Sequence, residues 1–259
     1  MTRLLSFILF FIIGAAAKAQ VKIHSHNDYL KPRPLYTALE SKAFSIEADV
    51  FLTKHGLLVA HSLKETNRKK TLSALYIDPI IALFKKHHGK ISADTAYKPT
   101  LVIDIKQNGQ EVLAELVRMF KPLRNYFDRS LNPHAVQLII SGDRGPSTSW
   151  KNYPSYIYFD GRPYEEYEPD TIEKIGMISD NYFNYLLARN NKADTSKIRA
   201  TVQKAHNWNK PFRFWASPDS ESVWKLLHDT GADIINTDKP AACREFFDKL
   251  KSERPTAQR

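Results

Sequence analysis

Short runs of β-branched and aromatic residues alternate with amphipathic stretches from one end of the chain to the other. Runs at Val21–His26, Ser45–Leu52, Leu101–Lys106, Val136–Ser141, Ser155–Asp160, Lys174–Ser179, Phe212–Ala216 and Asp233–Asn236 predict strands. A shorter one, Leu57–Ala60, follows the Lys54-His55-Gly56 turn. Helices are predicted between them at Pro34–Lys42, Leu72–His87, Gln110–Phe120, Ser196–Asn207, Asp219–Asp229 and Pro240–Leu250. Two of these carry clear start signals, Ser217-Pro218-Asp219 and Thr237-Asp238-Lys239-Pro240. Strand–helix alternation argues for parallel strands joined by right-handed crossovers. About eight such units in this length predict an α/β fold of the (β/α)8 TIM-barrel class. An open doubly wound sheet is the competing arrangement, but no Gly-rich dinucleotide fingerprint follows any strand. With no linker, low-complexity tract or fixed-period repeat, residues 20–259 are read as one domain.

Polar residues gather where these strands end. His26, Asn27 and Asp28 close the first, Asp104 and Lys106 the third, and Asp160 and Arg162 the fifth; Asp143 and Arg144 follow the fourth. Trp215 and Ser217 close the seventh, and Thr237 and Asp238 the eighth. Any one of these is an ordinary helix cap, but a barrel collects its active site at this face. Within IEADVFL, apolar Ile46, Ala48, Val50 and Leu52 share one side of the strand, so Glu47 and Asp49 share the other. In a barrel that side is either the interior or the helix layer. Asp104 and Lys106 in LVIDIK alternate in the same way.

Glu47, Asp49 and Asp104 supply three hard oxygen donors suited to Mg²⁺ or Ca²⁺. His26 and His61 flank the pair in sequence and suit the base and acid of a hydrolysis. Lys106 would add a second positive contact, Arg162 and Arg144 are candidate phosphate ligands, and Trp215 is a candidate wall against substrate. His24 shares the face of His26 and is assigned a supporting role. The bland readings are an exposed amphipathic edge for the acids and a structural ion pair for Asp104 and Lys106. Charge neutralised on phosphoryl oxygens, a nucleophile deprotonated and a leaving alkoxide protonated are the needs of phosphodiester hydrolysis, and this set meets all three.

The first residues change the picture of where this chemistry happens. Arg3, the apolar run Leu4–Ile13 and Ala17-Lys18-Ala19 read as a signal peptide cleaved after Ala19, predicting an exported, periplasmic or secreted protein. Losing Arg3 and Lys18 with it lowers the formal charge of +10 by two, to +8. That balance favours anionic partners: a small-molecule or lipid phosphodiester substrate and peripheral contact with an anionic membrane. The basic clusters are Lys64, Arg68, Lys69 and Lys70, and then Lys85 and Lys86, though most such runs are solvated faces. No interleaving of aromatic and basic residues points to nucleic acid, and export argues against it. Cys243 stands alone, so no internal disulfide forms. The tail after Leu250 looks disordered, and oligomeric state is not readable.

At these residues the chain resembles the superfamily of glycerophosphodiester phosphodiesterases and phosphatidylinositol-specific phospholipases C. The segment SHNDYLKPRPLYTALESKAFSIEADVFLTKHGLLVAHS looks like that family's opening: catalytic His, helix, Glu-x-Asp metal pair, turn, strand, second catalytic His. The resemblance continues through LVIDIK, FDGR, FRFWASP and IINTDKP. It implies a TIM barrel, His26 and His61 as the acid–base pair, and Glu47, Asp49 and Asp104 as metal ligands. It also implies attack by a neighbouring substrate hydroxyl, giving a cyclic phosphate that is then hydrolysed. The Asp-x-Lys form at Asp104 and Lys106 is similar to that of sphingomyelinases D. The family's usual His-Arg-Gly is replaced by His26-Asn27-Asp28, so its phosphate-contacting Arg is missing unless Arg33, Arg144 or Arg162 serves.

Two rivals remain on the sequence. His24-Ser25-His26 with Asp238 resembles a metal-dependent amidohydrolase, although Ser155–Asp160 and Lys174–Ser179 contain no His. A catalytically inactive lipid- or glycan-binding barrel is the other.

Overall fold

A computed structural model describes residues 20–253. The predicted signal peptide, residues 1–19, lies outside the described residues. Eight parallel strands close on themselves: β1 (Lys22–Ser25), β2 (Ser45–Thr53), β4 (Thr100–Ile105), β5 (Gln137–Gly142), β6 (Ile157–Gly161), β7 (Ile175–Asn181), β8 (Phe212–Trp215) and β9 (Ile234–Thr237). β1 pairs in parallel with both β2 and β9, which seals the barrel. β3 (Gly56–Val59) folds back antiparallel on β2 and returns the chain to the level of Asp49, where the Ala60 amide donates to the Asp49 carbonyl.

The helices are α1 (Tyr36–Glu40), α2 (Asp78–Lys86), α3 (Gly109–Phe120), α4 (Arg124–Phe127), α5 (Pro169–Glu173), α6 (Thr195–Asn207), α7 (Glu221–Asp229) and α8 (Pro240–Ser252). The helix expected over Leu72–His87 is divided: a π turn over Ser73–Ile77 leads into α2, whose Pro79 lacks the N–H an unbroken α ladder would use there. α8 runs on through Lys251 and Ser252, so the helix overrides the disorder expected just after Leu250.

Apolar packing divides into two bodies, and the division positions the site. Outward residues such as Ile46, Ala48, Val50, Ile103, Ile140 and Phe214 join the helices in one large core. Inward residues Val102, Ile139, Met177 and Ile234 form a second, small cluster with Phe44 and Tyr158. Val102 shares a strand face with Asp104, two residues closer to the carboxyl end, so this cluster plugs the opposite end of the interior. Above the plug the lining becomes polar. Asp160 there accepts from Ser141 Oγ at 2.9 Å and Ser179 Oγ at 2.7 Å, and faces Arg213 at 3.4 Å.

Candidate active site at the carboxyl-terminal mouth

Register brings the acids together. Asp49 on β2 lies opposite Asp104 on β4, and both point inward because their strand neighbours Ala48, Val50, Ile103 and Ile105 belong to the outer core. One carboxylate oxygen from each of Glu47, Asp49 and Asp104 lies within 4.8 Å of the others. Burial pushes the Asp49 carboxyl up to about 6, helped by the charge of Glu47 and opposed by Lys106. Burial likewise raises Asp104, while Lys106 pulls it back. Lys106 Nζ sits 2.7 Å from Asp49 and 3.2 Å from Asp104. Burial alone would raise Glu47, but the imidazoles of His24 and His26 and the charge of Arg213 overcome it and hold the group ionised.

Hard oxygen donors at this spacing suit a divalent cation, and Asp49 Oδ1 is buried with no hydrogen-bond partner. The residues present therefore fit the ion the sequence implied. Gly142 makes room for one ligand: a Cβ there would stand 2.6 Å from Asp104 Oδ1 and 2.2 Å from the Ile105 carbonyl, and its φ is +72°.

The two expected histidines approach this cluster by different carboxylates. His26 Nε2 is 3.6 Å from Glu47 Oε2, and His61 Nδ1 is 3.6 Å from Asp49 Oδ2. His61 is largely exposed and lines a cleft of about 360 Å³ with Asn27, Tyr29, Leu30, Val59, Ala60, Glu65 and Lys70. A larger cleft, about 680 Å³, lies between α1 and α8 and includes none of these groups.

Four further residues build the site. Asp238 Oδ1 lies 2.8 Å from His26 Nδ1. Burial disfavours a charged His26, yet this bond and the nearby Glu47 outweigh it and raise the imidazole. Asp219 fixes that partner, accepting from the Thr237 hydroxyl at 2.5 Å and the Asp238 amide at 3.1 Å. Asn27, held at φ 48°, donates its backbone N–H to Glu47 Oε2 at 3.3 Å and its side-chain amide to Asp238 at 3.2 Å. The Tyr29 hydroxyl donates to Asp49 Oδ2 at 2.8 Å. A His-x-x-Tyr spacing carries no signal for that contact, because its partner lies on another strand.

His24 is a support. Fully buried, it has Nδ1 on Ser45 Oγ at 2.8 Å and Nε2 at 3.5 Å from Glu47 Oε2, the outer edge of hydrogen-bond range. Burial drops its imidazole to about 4, so the ring is neutral and the Ser45 hydroxyl can donate to Nδ1 while Nε2–H faces Glu47. Asp28 is structural: it accepts from Ser25 Oγ, the Leu35 amide and Tyr76, anchoring the loop after β1.

The arginines expected at phosphate are engaged elsewhere. Arg144 makes a bidentate pair with Glu165 and lies over Trp150. Arg33 pairs with Glu40 at the surface. Arg162 turns into the barrel, with Nη1 on Asp160 Oδ2 at 3.0 Å and on Ser179 Oγ at 3.0 Å. Lys106 is thus the cation in direct contact with the acids. Trp215 ends β8, half-buried, with its indole N–H buried and unpartnered. The amidohydrolase arrangement does not form: Asp238 meets His26 across Nδ1, and the ligand cluster is all carboxylate.

Comparison with known proteins agrees with this geometry. A model of an AIM6-like phosphodiesterase domain matches residues 15–143, and one of the glycerophosphoryl diester phosphodiesterase family matches residues 211–241. An altered inheritance of mitochondria protein 6 homolog from Arthroderma benhamiae is 27% identical over 88% of this chain and 84% of its own length. Altered inheritance of mitochondria protein 6 from Eremothecium gossypii is 26% identical over 87% of this chain and 69% of its own. Among solved structures, a glycerophosphodiester phosphodiesterase from Parabacteroides distasonis aligns with TM-score 0.56 and 16% identity, covering 90% of this chain and all (100%) of the other. A Ca²⁺-dependent phosphatidylinositol-specific phospholipase C from Streptomyces antibioticus aligns with TM-score 0.52 and 12% identity, covering 87% and 95%. At those identities the structures speak for the barrel, and the family models for descent. The amino-terminal half of the chain is thus similar to AIM6-like phosphodiesterase domains and residues 211–241 to the glycerophosphoryl diester phosphodiesterase family, on a barrel of the fold those phosphodiesterases share.

Proposed function

We propose that the protein is a divalent-metal-dependent phosphodiester hydrolase acting on a glycerophosphodiester or a phospholipid head group. The observation that carries this reading is the placement of two imidazoles against one cluster of three carboxylates, each ring 3.6 Å from a different member. Glu47, Asp49 and Asp104 would hold the ion, Mg²⁺ or Ca²⁺, which when bound would neutralise charge on the phosphoryl oxygens. Lys106 adds its own charge beside the same oxygens.

His26 donates a hydrogen bond from Nδ1–H to the Asp238 carboxylate, which leaves the Nε2 lone pair free to accept a proton from the attacking hydroxyl. That hydroxyl, adjacent on the substrate, forms the new P–O bond as the ester P–O bond breaks. His61, on the open side, protonates the departing oxygen. The two histidines exchange roles when water opens the cyclic phosphate. Export to a periplasm or the exterior is part of this reading, supported by Arg3, Leu4–Ile13 and Ala17-Lys18-Ala19.

Hydrolysis of bis-p-nitrophenyl phosphate by wild type, His26→Ala and Glu47→Ala, with and without EDTA, tests the chemistry. Activity should fall at least ~100-fold in each variant and on chelation. Turnover that survives both chelator and substitution ends the proposal. A mass-spectrometric screen of glycerophosphodiesters, phosphatidylinositol and sphingophospholipids then identifies the alcohol released.

A further inference from the structure

Five large apolar side chains are strongly exposed among the described residues: Leu30, Leu63, Leu131, Tyr164 and Phe183. Four of them sit at the catalytic mouth. Leu30 follows β1, Leu63 follows β3, Tyr164 follows β6 and Phe183 follows β7, whereas Leu131 lies between α4 and β5 at the opposite end. A soluble enzyme taking a small hydrated diester has no use for apolar knobs concentrated around its entrance, and scattered exposure would not favour one rim.

Charge on that rim is equally uneven. The segment after His61 carries Lys64, Arg68, Lys69 and Lys70 against a single acid, Glu65. All four cations are exposed, and none makes an ion pair among the described residues, although most acids elsewhere on the fold's surface are paired or capping. Glu65 is itself occupied, its carboxylate accepting from the Ser62 amide in a capping box. Leu30, Glu65 and Lys70 line one cleft with His61, so the apolar and basic groups adjoin the reacting groups.

We propose that this rim, Leu30 and Leu63 with the basic segment 64–70, docks on an anionic phospholipid bilayer, and that the substrate is drawn from it. The inference rests on the phosphodiesterase reading for the substrate but not for the docking. Cations alone would fit any polyanion. Leucines set among them favour a bilayer, whose interface rewards apolar insertion as well as charge. No described helix is long and apolar enough to cross a membrane, so the contact is peripheral. A bilayer at this rim would bring phosphodiesters to the cleft beside His61 and Asp49, and so selects a lipid head group over a free glycerophosphodiester.

Cosedimentation of the full chain with phosphatidylcholine vesicles, with and without phosphatidylglycerol, tests this. Binding should require phosphatidylglycerol and weaken with salt. Lys64→Gln with Lys69→Gln should weaken it about 25-fold, at roughly fivefold per cation. Leu63→Ser should lower the part of the binding that persists at high salt. All three positions lie outside the catalytic groups, so melting temperature and turnover of bis-p-nitrophenyl phosphate should hold. Glu47→Gln should still bind vesicles. Vesicle binding by a protein inactive on every diester would sustain the docking and defeat the phosphodiesterase reading. Equal affinity for both vesicle types, or binding to heparin that exceeds binding to phosphatidylglycerol vesicles, would overturn the docking and leave the chemistry intact.

Discussion

Asp49→Asn should stabilise the metal-free protein while abolishing its response to metal. Asp49 is almost fully buried, with its carboxyl pushed up to about 6 by burial and by Glu47. An Asp in the unfolded chain titrates near 3.9. The folded state therefore binds this proton more tightly than the unfolded state. Stability from that proton is fully present below the unfolded value and is lost as pH rises through about 6. A gap of roughly two units corresponds to about 3 kcal/mol, which the ionised protein forgoes at neutral pH.

Asparagine keeps an oxygen for Tyr29 and Lys106 and carries no charge, so it should recover about 2–3 kcal/mol at pH 7 in chelator. At pH 5 the wild-type group is mostly protonated, and the advantage of the variant should shrink by roughly 1.4 kcal/mol. The comparison between proteins matters, because buried neutral His24, at about 4, destabilises both as pH falls below the unfolded histidine value. Urea unfolding of both proteins at the two pH values measures the double difference. Saturating Mg²⁺ or Ca²⁺ should then raise the wild type by mass action and leave the variant unmoved. A variant less stable than wild type in chelator at pH 7, or a difference indifferent to pH, would refute the assignment of Asp49 as a strained ligand.

Asp238→Asn removes the charge beside His26 Nδ1. Both side chains are partly exposed, 32% and 48%, so solvent screening keeps the effect modest, and the imidazole should titrate lower without the Asp238 charge. An NMR titration of His26 should show it, with the acid limb of kcat/KM moving down in step and turnover falling about 100-fold. An unchanged limb would mean the pair is structural. His24→Leu should weaken metal affinity ~10–100-fold in chelator competition, whereas His24→Gln, which keeps a donor toward Glu47, should restore part of it. Equal loss in both would assign His24 to packing alone.

What could be read beforehand follows the physics of locality. β2 and β4 announced themselves because period-two alternation is written within a few residues, and the same alternation put Glu47 with Asp49 and Asp104 with Lys106. The barrel followed from alternation of elements. Helices α4 and α5, of four and five residues, complete too little of a turn pattern to be visible. Asp238 was seen at the end of the eighth strand but given a role only in the amidohydrolase alternative, because its bond to His26 spans 212 positions and exists only once β1 pairs with β9. Arg144 and Arg162 were misread for a related reason. A guanidinium in sequence looks available until Glu165 and Asp160 are found against it.

Those misplaced arginines bear on why the barrel is built in layers. Filling the whole interior with Val and Ile would be the stable choice, and the plug of Val102, Ile139, Met177 and Ile234 does this at one end only. Directly above it the chain buries Arg213 against Asp160 and Asn236, an arrangement whose desolvation cost an apolar packing would avoid. The positive charge acts upward. Arg213 disfavours protonation of His24 and favours ionised Glu47, which burial alone would push the other way. Asp160 and Arg162 hold Arg213's surroundings fixed, with Ser141 and Ser179 completing the carboxylate's bonds. Cohesion is supplied instead by the outer core between strands and helices, which is continuous around the barrel. Separating the two tasks lets the interior carry charges at one mouth that a conventional core would neutralise.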